Sequence, residues 1–326
     1  MTRRILPITV LIVLALLIWL GYQKKLSNTL ASDFRFKVEE VSSIERILLT
    51  HRDGEQVDLR KQKEGWTVNN SYQARANAIE NLLDVVTRVD LQFIPTEAAM
   101  RTMVADLSTQ GVRVDILGHQ DEILRSYYVG GATPDERGTF MIMNGSDQPA
   151  VTYIPGWEGG LRARYVMQPI EWRSRMIYEL QSDRIGQVSI DYPKQQSQSF
   201  EIIKTEQSSK VIPLYEQVTG KGQPRKGTVE AYLRGFGSIG AESILMDPSL
   251  AAALQEKLPF AIIRCETDRG ESVLRLFPIV EQLESGPDHI ERYHAIDEAG
   301  TLYLVQQRIF EKLFWSYDSF FESPKD

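Results

Sequence analysis

The longest apolar stretch of the chain runs from residue 5 to residue 22, ILPITVLIVLALLIWLGY, and carries no formal charge. Its 18 residues fall within the roughly 17–25 that a helix needs to cross a bilayer. Basic residues flank both ends, and no small-residue cleavage site follows the run. The pattern therefore predicts an uncleaved transmembrane anchor over residues 1–25, with the membrane contacts made by Ile5, Leu11, Leu14, Leu17, Trp19 and Tyr22.

Beyond this stretch, apolar residues alternate with polar ones in short runs separated by turn residues, which is typical of β-strands. DFRFKVEE (33–40) predicts a half-buried strand, and the next two runs predict a hairpin around Asp53-Gly54. Spacing changes after residue 74, where Ile79, Leu82, Leu83 and Val86 form the stripe of a helix lying on a sheet. A second helix is predicted over 96–107, followed by two further hairpins up to residue 154.

The same order of elements recurs in the second half of the chain. The helical stripe returns 150 residues later as Val229, Tyr232, Leu233 and Phe236, and residues 247–258 repeat the helix predicted at 96–107. Ordered recurrence of this kind indicates an internal duplication. The sequence therefore predicts an α+β protein in which one transmembrane helix precedes two tandem, duplicated modules of antiparallel or mixed β-sheet with helices packed on one face. The predicted bounds are 26–41 for a linker and first strand, 42–157 for the first module, 158–182 for a junction, 183–315 for the second module and 316–326 for a tail.

Charge argues against one class of partner. The whole chain has 37 basic and 44 acidic residues, a net charge of −7; because the first 25 residues hold four basic side chains and no acid, the remainder has 33 against 44, or −11. A nucleic-acid-binding body would be expected to carry a basic face instead. The single cysteine, Cys265, cannot form an intramolecular disulfide, and a buried core position is a better interpretation than a nucleophile or metal ligand.

One segment concentrates basic and aromatic residues. Arginine offers planar donors to anions and aromatic residues anchor interfaces, so the segment 156–175 is a candidate partner- or anion-binding patch. The alternative, which we favour, is a junction between modules whose arginines pair with acidic neighbours. The patch residues are Trp157, Arg162, Arg164, Tyr165, Trp172, Arg173 and Arg175.

Other motifs give no chemistry. His289 and His294 are five residues apart and belong to no zinc motif. The polar segment TGKGQPRKG (219–227) lacks the spacing of a phosphate loop, and we predict that it is a mobile surface loop. We predict no catalytic residue, no metal site and no cofactor.

Several stretches together, DFRFKVEEVSSIERI, WTVNNSYQARANAIENLLDVV, YYVGGATPDERGTFMIM and YIPGWEGGLRARY with EWRSRMIYEL and SFEII, resemble the family of bacterial membrane-anchored proteins called domain of unknown function 4340. The resemblance covers most of the chain and implies an accessory role beside an ABC-type transporter of the cell envelope. It carries over no catalytic residue.

These observations predict a membrane-tethered binding or scaffold subunit of an envelope complex, with protein partners and no catalysis of its own. The predicted location is the bacterial inner membrane. Two basic residues before the apolar run and four soon after it weakly favour a cytoplasmic body, but a short basic N-terminus before one apolar run is the usual layout of a signal anchor, so we favour a body on the periplasmic side. The alternative is a membrane-anchored enzyme that acts on an envelope polymer.

Overall fold

The computed structural model describes residues 34–165, 168–205, 208–281 and 289–321. The chain divides into two compact units, Met1–Ser174 and Arg175–Asp326. Strands account for 38% and helices for 26% of the described residues, so the fold is mostly β rather than the predicted α+β.

Unit 1 is built on one nine-stranded antiparallel sheet in the order β4-β3-β2-β1-β6-β7-β8-β9-β5. Its elements are β1 (Arg46–Thr50), β2 (Gln56–Gln62), β3 (Gly65–Val68), β4 (Tyr72–Gln73), α1 (Ala76–Arg88), β5 (Asp90–Phe93), α2 (Glu97–Gln110), β6 (Val112–Leu117), β7 (Ile123–Ala132), β8 (Thr139–Met143), β9 (Ala150–Tyr153) and α3 (Pro169–Trp172).

Unit 2 is built on an eight-stranded antiparallel sheet in the order β13-β12-β11-β16-β17-β18-β19-β15, and β10 pairs separately with β14. Its elements are β10 (Met176–Tyr178), β11 (Ile185–Asp191), β12 (Phe200–Lys204), β13 (Ser209–Pro213), α4 (Thr228–Arg234), β14 (Ile239–Gly240), β15 (Ser243–Leu245), α5 (Pro248–Gln255), β16 (Ala261–Thr267), β17 (Gly270–Glu281), β18 (His289–Asp297), β19 (Leu302–Gln306) and α6 (Gln307–Phe310).

The two sheets share one strand order. With β4 set aside, the order β3-β2-β1-β6-β7-β8-β9-β5 of unit 1 corresponds strand by strand to β13-β12-β11-β16-β17-β18-β19-β15 of unit 2. Pairing registers extend this correspondence to single residues, because Val112 faces Val129 in unit 1 as Ala261 faces Leu276 in unit 2. It follows that the positions Gly130-Gly131 correspond to Phe277-Pro278, and Gly111 to Phe260.

Helices lie on both faces of the sheet, which corrects the prediction that they pack on one face. Leu276 belongs to the same buried cluster as Tyr232 of α4, whereas the next residue, Phe277, packs with Leu254 of α5. Consecutive strand residues point to opposite faces of a sheet. The helices α4 and α5 therefore cover opposite faces of the second sheet.

The predicted strand at residues 33–40 is absent from the described part of that segment, residues 34–40. Its alternating apolar residues are nevertheless buried, with Phe36 and Val38 in the core of unit 1. The segment packs over α1, where the Val38 backbone N–H donates to Val86 O at 2.9 Å. Periodicity thus marked burial correctly, but the predicted strand is wrong for the described residues 34–40.

The predicted anchor, residues 1–25, lies outside the described residues. Among the residues that are described, no helix is long and apolar enough to cross a membrane, and the longest, α2, has 14 residues. The prediction of a single-pass inner-membrane protein, with the membrane as a partner and a transporter of the envelope beside it, is therefore withdrawn.

Candidate binding pocket

An open pocket lies at one end of the second sheet, where β11 ends, β16 begins and Leu254 of α5 shares a buried cluster with Phe277 of β17. Its volume is about 290 Å³. Apolar side chains supply most of the lining, and two lysines and one glutamine supply the polar groups. The lining residues are Tyr192, Lys194, Gln195, Leu254, Lys257, Leu258, Phe260, Phe277 and Pro278.

Aromatic packing fixes the inner wall of the pocket. The ring centroids of Tyr192 and Phe260 are 5.7 Å apart, and Phe260 contacts Phe314 edge-on at 5.2 Å. The Tyr192 hydroxyl donates to the backbone oxygen of Trp315 at 2.9 Å. Burial raises the pKa of Tyr192, so this hydroxyl stays protonated and remains a donor. The wall is therefore held in place without a bound molecule.

The rim of the pocket is cationic. Lys194 and Lys257 are both exposed, and within the described ranges neither ammonium has a carboxylate within ion-pairing distance. His294 stands close by, and burial, followed by the charge of Lys257, lowers its pKa below the usual 6.5. Leu258 extends the apolar surface outward and is 58% exposed. Two unpaired positive charges beside an apolar floor are unusual in a chain whose net charge is −7.

Unit 1 fills the corresponding place with its own helix. The Gly131 N–H donates to Asp106 Oδ2 of α2 at 2.6 Å, and Arg52 Nη2 donates to Leu107 O at 3.0 Å. A Cβ atom at Gly130 would lie 2.5 Å from Asp106 Oδ2 and 3.0 Å from Leu107 Cδ2. Only glycine allows this close approach, and Leu107 is consequently only 4% exposed.

No sequence motif marks the pocket residues, although the internal repeat contains one signal for them. The repeat that relates residues 96–107 to 247–258 has an offset of 151, which places Lys257 and Leu258 at the positions of Asp106 and Leu107. Relative to unit 1, unit 2 thus has a reversed charge at Lys257. It also has bulkier residues on the strand, where Phe277-Pro278 replaces Gly130-Gly131.

The predicted basic and aromatic patch is divided between core and surface. Tyr165 and Trp172 are fully buried, and the hydroxyls of Tyr165 and Tyr127 are 3.3 Å apart. Burial raises the pKa of Tyr165 well above its usual range. Trp157 is 48% exposed, and the Arg164 guanidinium lies 4.2 Å from the centre of its ring.

The arginines of that patch have partners within their own units. Arg162 donates to Val129 O at 3.2 Å, and burial lowers its pKa. Arg164 also contacts Asp84 at 3.6 Å, and Arg173 stacks 3.4 Å from the centre of the Tyr72 ring. Arg175 belongs to unit 2, where it donates to Glu242 O at 2.8 Å. Of these contacts, only the one between Arg164 and Asp84 is made to an acidic side chain. The partner-binding patch and the junction alternative both stay predictions.

Two further hollows are lined by charges that are already paired. One, of about 430 Å³, contains Arg292, which bonds Glu242 Oε2 at 3.0 Å. The other, of about 220 Å³, contains Arg46, which bonds both oxygens of Asp58 at 2.8 and 3.1 Å. Because these side chains satisfy one another, the hollows resemble surface ion-pair networks more than ligand sites.

Isolated groups add no chemistry to the pocket. Burial raises the pKa of the Cys265 thiol to about 12, and a protonated buried thiol is a poor nucleophile. The described residues contain no cluster of three or more side chains that could hold a metal ion.

The loop 219–227 was predicted to be mobile, but it is hydrogen-bonded to the segment 317–320. Lys221 N donates to the Tyr317 hydroxyl at 2.7 Å, and Arg225 N donates to Phe320 O at 2.9 Å.

Comparison of the chain with protein-family models, with curated proteins and with solved structures finds no match. The resemblance to the domain of unknown function 4340 family accordingly stays a prediction.

Proposed function

We propose that this is a binding protein whose second unit takes up an apolar group that bears a negative charge. The observation that carries the proposal is the pocket beside α5, in which Leu254, Phe260 and Phe277 form an apolar floor. The ammonium groups of Lys194 and Lys257 stand above it, and no carboxylate of the described residues pairs with them. An apolar cavity with a few convergent polar groups is the usual form of a binding site. The proposal requires no bond to be made or broken.

The size of the pocket limits what can enter it. Its volume of about 290 Å³ is near the lower limit of the roughly 300–1,000 Å³ typical of sites for drug-sized molecules. One aromatic ring or one branched aliphatic group would fill it, and the rest of the ligand would lie across the rim. A carboxylate placed there meets Lys194 or Lys257 without displacing an existing ion pair.

Three probes with one apolar body and different charges test this proposal. We expect 3-phenylpropionate to bind more tightly than 3-phenylpropanol, and 3-phenylpropylammonium to bind least. Binding is measured by heteronuclear NMR titration of the full chain, with shifts expected at Leu254, Leu258 and Phe277. Replacing both Lys194 and Lys257 by Ala should weaken 3-phenylpropionate by about 2- to 10-fold, since each exposed ion pair contributes little.

Lys210→Ala is the matched control, because Lys210 is an exposed lysine on β13, which supplies no lining residue. It should leave binding unchanged. Equal binding of the propionate and the ammonium probe, or an undiminished affinity in the double lysine variant, would contradict the proposed function.

A further inference from the structure

Unit 1 contains an internal template for what the pocket of unit 2 binds. The place that corresponds to the pocket is filled by two consecutive side chains of α2, the Asp106 carboxylate and the Leu107 isobutyl group, set against Gly130 and Gly131. An acidic and an apolar side chain, side by side on a helix, thus complete this end of the sheet in the first copy.

Unit 2 cannot supply the same pair itself. By the repeat offset of 151 it has Lys257 in place of Asp106, and Leu258, which is 58% exposed, in place of the buried Leu107; both lie just after α5, which ends at Gln255. Phe277 and Pro278 replace the glycines that let the helix approach in unit 1. The second copy therefore lacks the negative charge, and its helix leaves the floor of the pocket accessible.

We infer that the pocket docks a helical segment of a partner protein that presents an Asp or Glu next to a Leu-like side chain. The inference rests on the proposed function and names its ligand. A protein segment fits better than a free amphiphile for two reasons. The pocket holds only about one side chain, and the exposed Leu258 beside it offers a second apolar contact that a single small molecule of that size would leave uncovered.

The positive charge of the pocket rim indicates that the partner residue next to the buried anchor is acidic. Lys194 and Lys257 stand on the rim without carboxylate partners among the residues that the structure describes. An Asp or Glu one residue away from the buried anchor would reach this rim. In unit 1, Asp106 likewise lies next to the buried Leu107 and accepts a hydrogen bond from the Gly131 N–H. A basic residue at that position would be repelled.

A labelled peptide that copies α2, EAAMRTMVADLSTQ (97–110), is the probe. Its binding to the full chain is followed by fluorescence anisotropy and mapped by NMR. Changing the peptide residue that copies Asp106 to Lys, or the residue that copies Leu107 to Ala, should weaken binding by about 5-fold or more. In the protein, Lys257→Asp should weaken the parent peptide by about 5- to 20-fold and partly restore binding of the Lys-containing peptide.

Four outcomes of these measurements decide between the inference and the proposed function. Parent binding, loss with both altered peptides, and rescue by the reversed charge pair support the inference. Failure of the peptide while 3-phenylpropionate still binds overturns the inference and leaves the proposed function intact. Failure of both ligands overturns both. Binding that maps to β7 of unit 1, or that is unaffected by Lys257→Asp, places the peptide elsewhere and overturns the inference.

Discussion

The two units use one strand order to reach opposite results at the same end of the sheet. In unit 1, α2 packs directly on β7, and Leu107 is buried against Gly130. In unit 2, the corresponding strand positions hold Phe277 and Pro278; Leu254 of α5 is buried in one cluster with Phe277, and Leu258, three residues after the end of α5, is exposed. The two sheets thus share one strand order, while unit 1 has a closed helix contact and unit 2 has an open pocket.

The difference has an energetic meaning. Full burial of a leucine side chain contributes roughly 1.5–3 kcal/mol to folding. Unit 1 gains this at Leu107, and unit 2 does not gain it at Leu258. An apolar surface that folding leaves uncovered remains available for binding. The comparison therefore separates Leu107, which is buried and contributes to stability, from Leu258, for which we propose a role in binding.

The largest expected effect comes from truncating these two leucines separately. Leu107→Ala should lower the free energy of unfolding by about 2–5 kcal/mol, because it leaves a cavity in a closed contact. Leu258→Ala should change it by no more than about 0.5 kcal/mol, as is usual for an exposed side chain. Urea unfolding of the full chain measures both. Equal losses would show that the two leucine side chains are packed alike.

The next effect comes from adding one methyl group beneath α2. Gly130→Ala should destabilise the protein by about 1–3 kcal/mol, since its Cβ would overlap Asp106 and Leu107 and force the helix outward. Gly186→Ala on β11 is the control, because the nearest atom to its Cβ would be 3.8 Å away. If the two variants are equally stable, close approach of α2 is not what closes unit 1.

A smaller effect is expected from the carboxylate that α2 contributes. Asp106→Ala removes the acceptor of the Gly131 N–H and should cost about 1–2 kcal/mol, whereas Asp106→Asn, which keeps an oxygen acceptor, should cost less. Thermal unfolding compares the two variants. An Asn variant as unstable as the Ala variant would mean that negative charge, rather than the hydrogen bond, holds this contact.

The smallest effect concerns pH and unit 2. Burial and Lys257 lower the pKa of His294 below the unfolded value of 6.5, so the unfolded chain takes up a proton at this site more readily than the folded one. Stability should consequently fall as pH drops below about 6.5. In His294→Gln the part of this slope that is due to His294 should disappear, which urea unfolding at pH 7.5, 6.5 and 5.5 would show. An unchanged slope in the variant would contradict the lowered pKa.

Local elements of this fold could be read from the sequence, but their tertiary partners could not. The stripe Ile79, Leu82, Leu83 and Val86 lies on α1, and the hairpin around Asp53-Gly54 joins β1 to β2. Periodicity shows which positions are buried, but it does not show which elements they pack against. For that reason the apolar stripe of α2 gave no indication that this helix lies on the other face, and the buried Phe36 and Val38 were assigned to a strand.

The pocket was harder to predict because it depends on residues far apart in the chain. Whether a helix closes on a strand is decided by side-chain bulk at facing positions, here Gly130 or Phe277, and those positions become comparable only when the strand registers are known. The basic and aromatic cluster at 156–175 misled for the opposite reason. Its residues are adjacent in sequence, but Tyr165 and Trp172 point into the core.

A crystal structure of the full chain with 3-phenylpropionate would test the central claim most directly. Our account predicts density for the phenyl ring against Leu254 and Phe277, with the carboxylate beside Lys194 or Lys257, and none over Gly130. Density over Gly130, or an empty pocket at a concentration that saturates binding in solution, would contradict it.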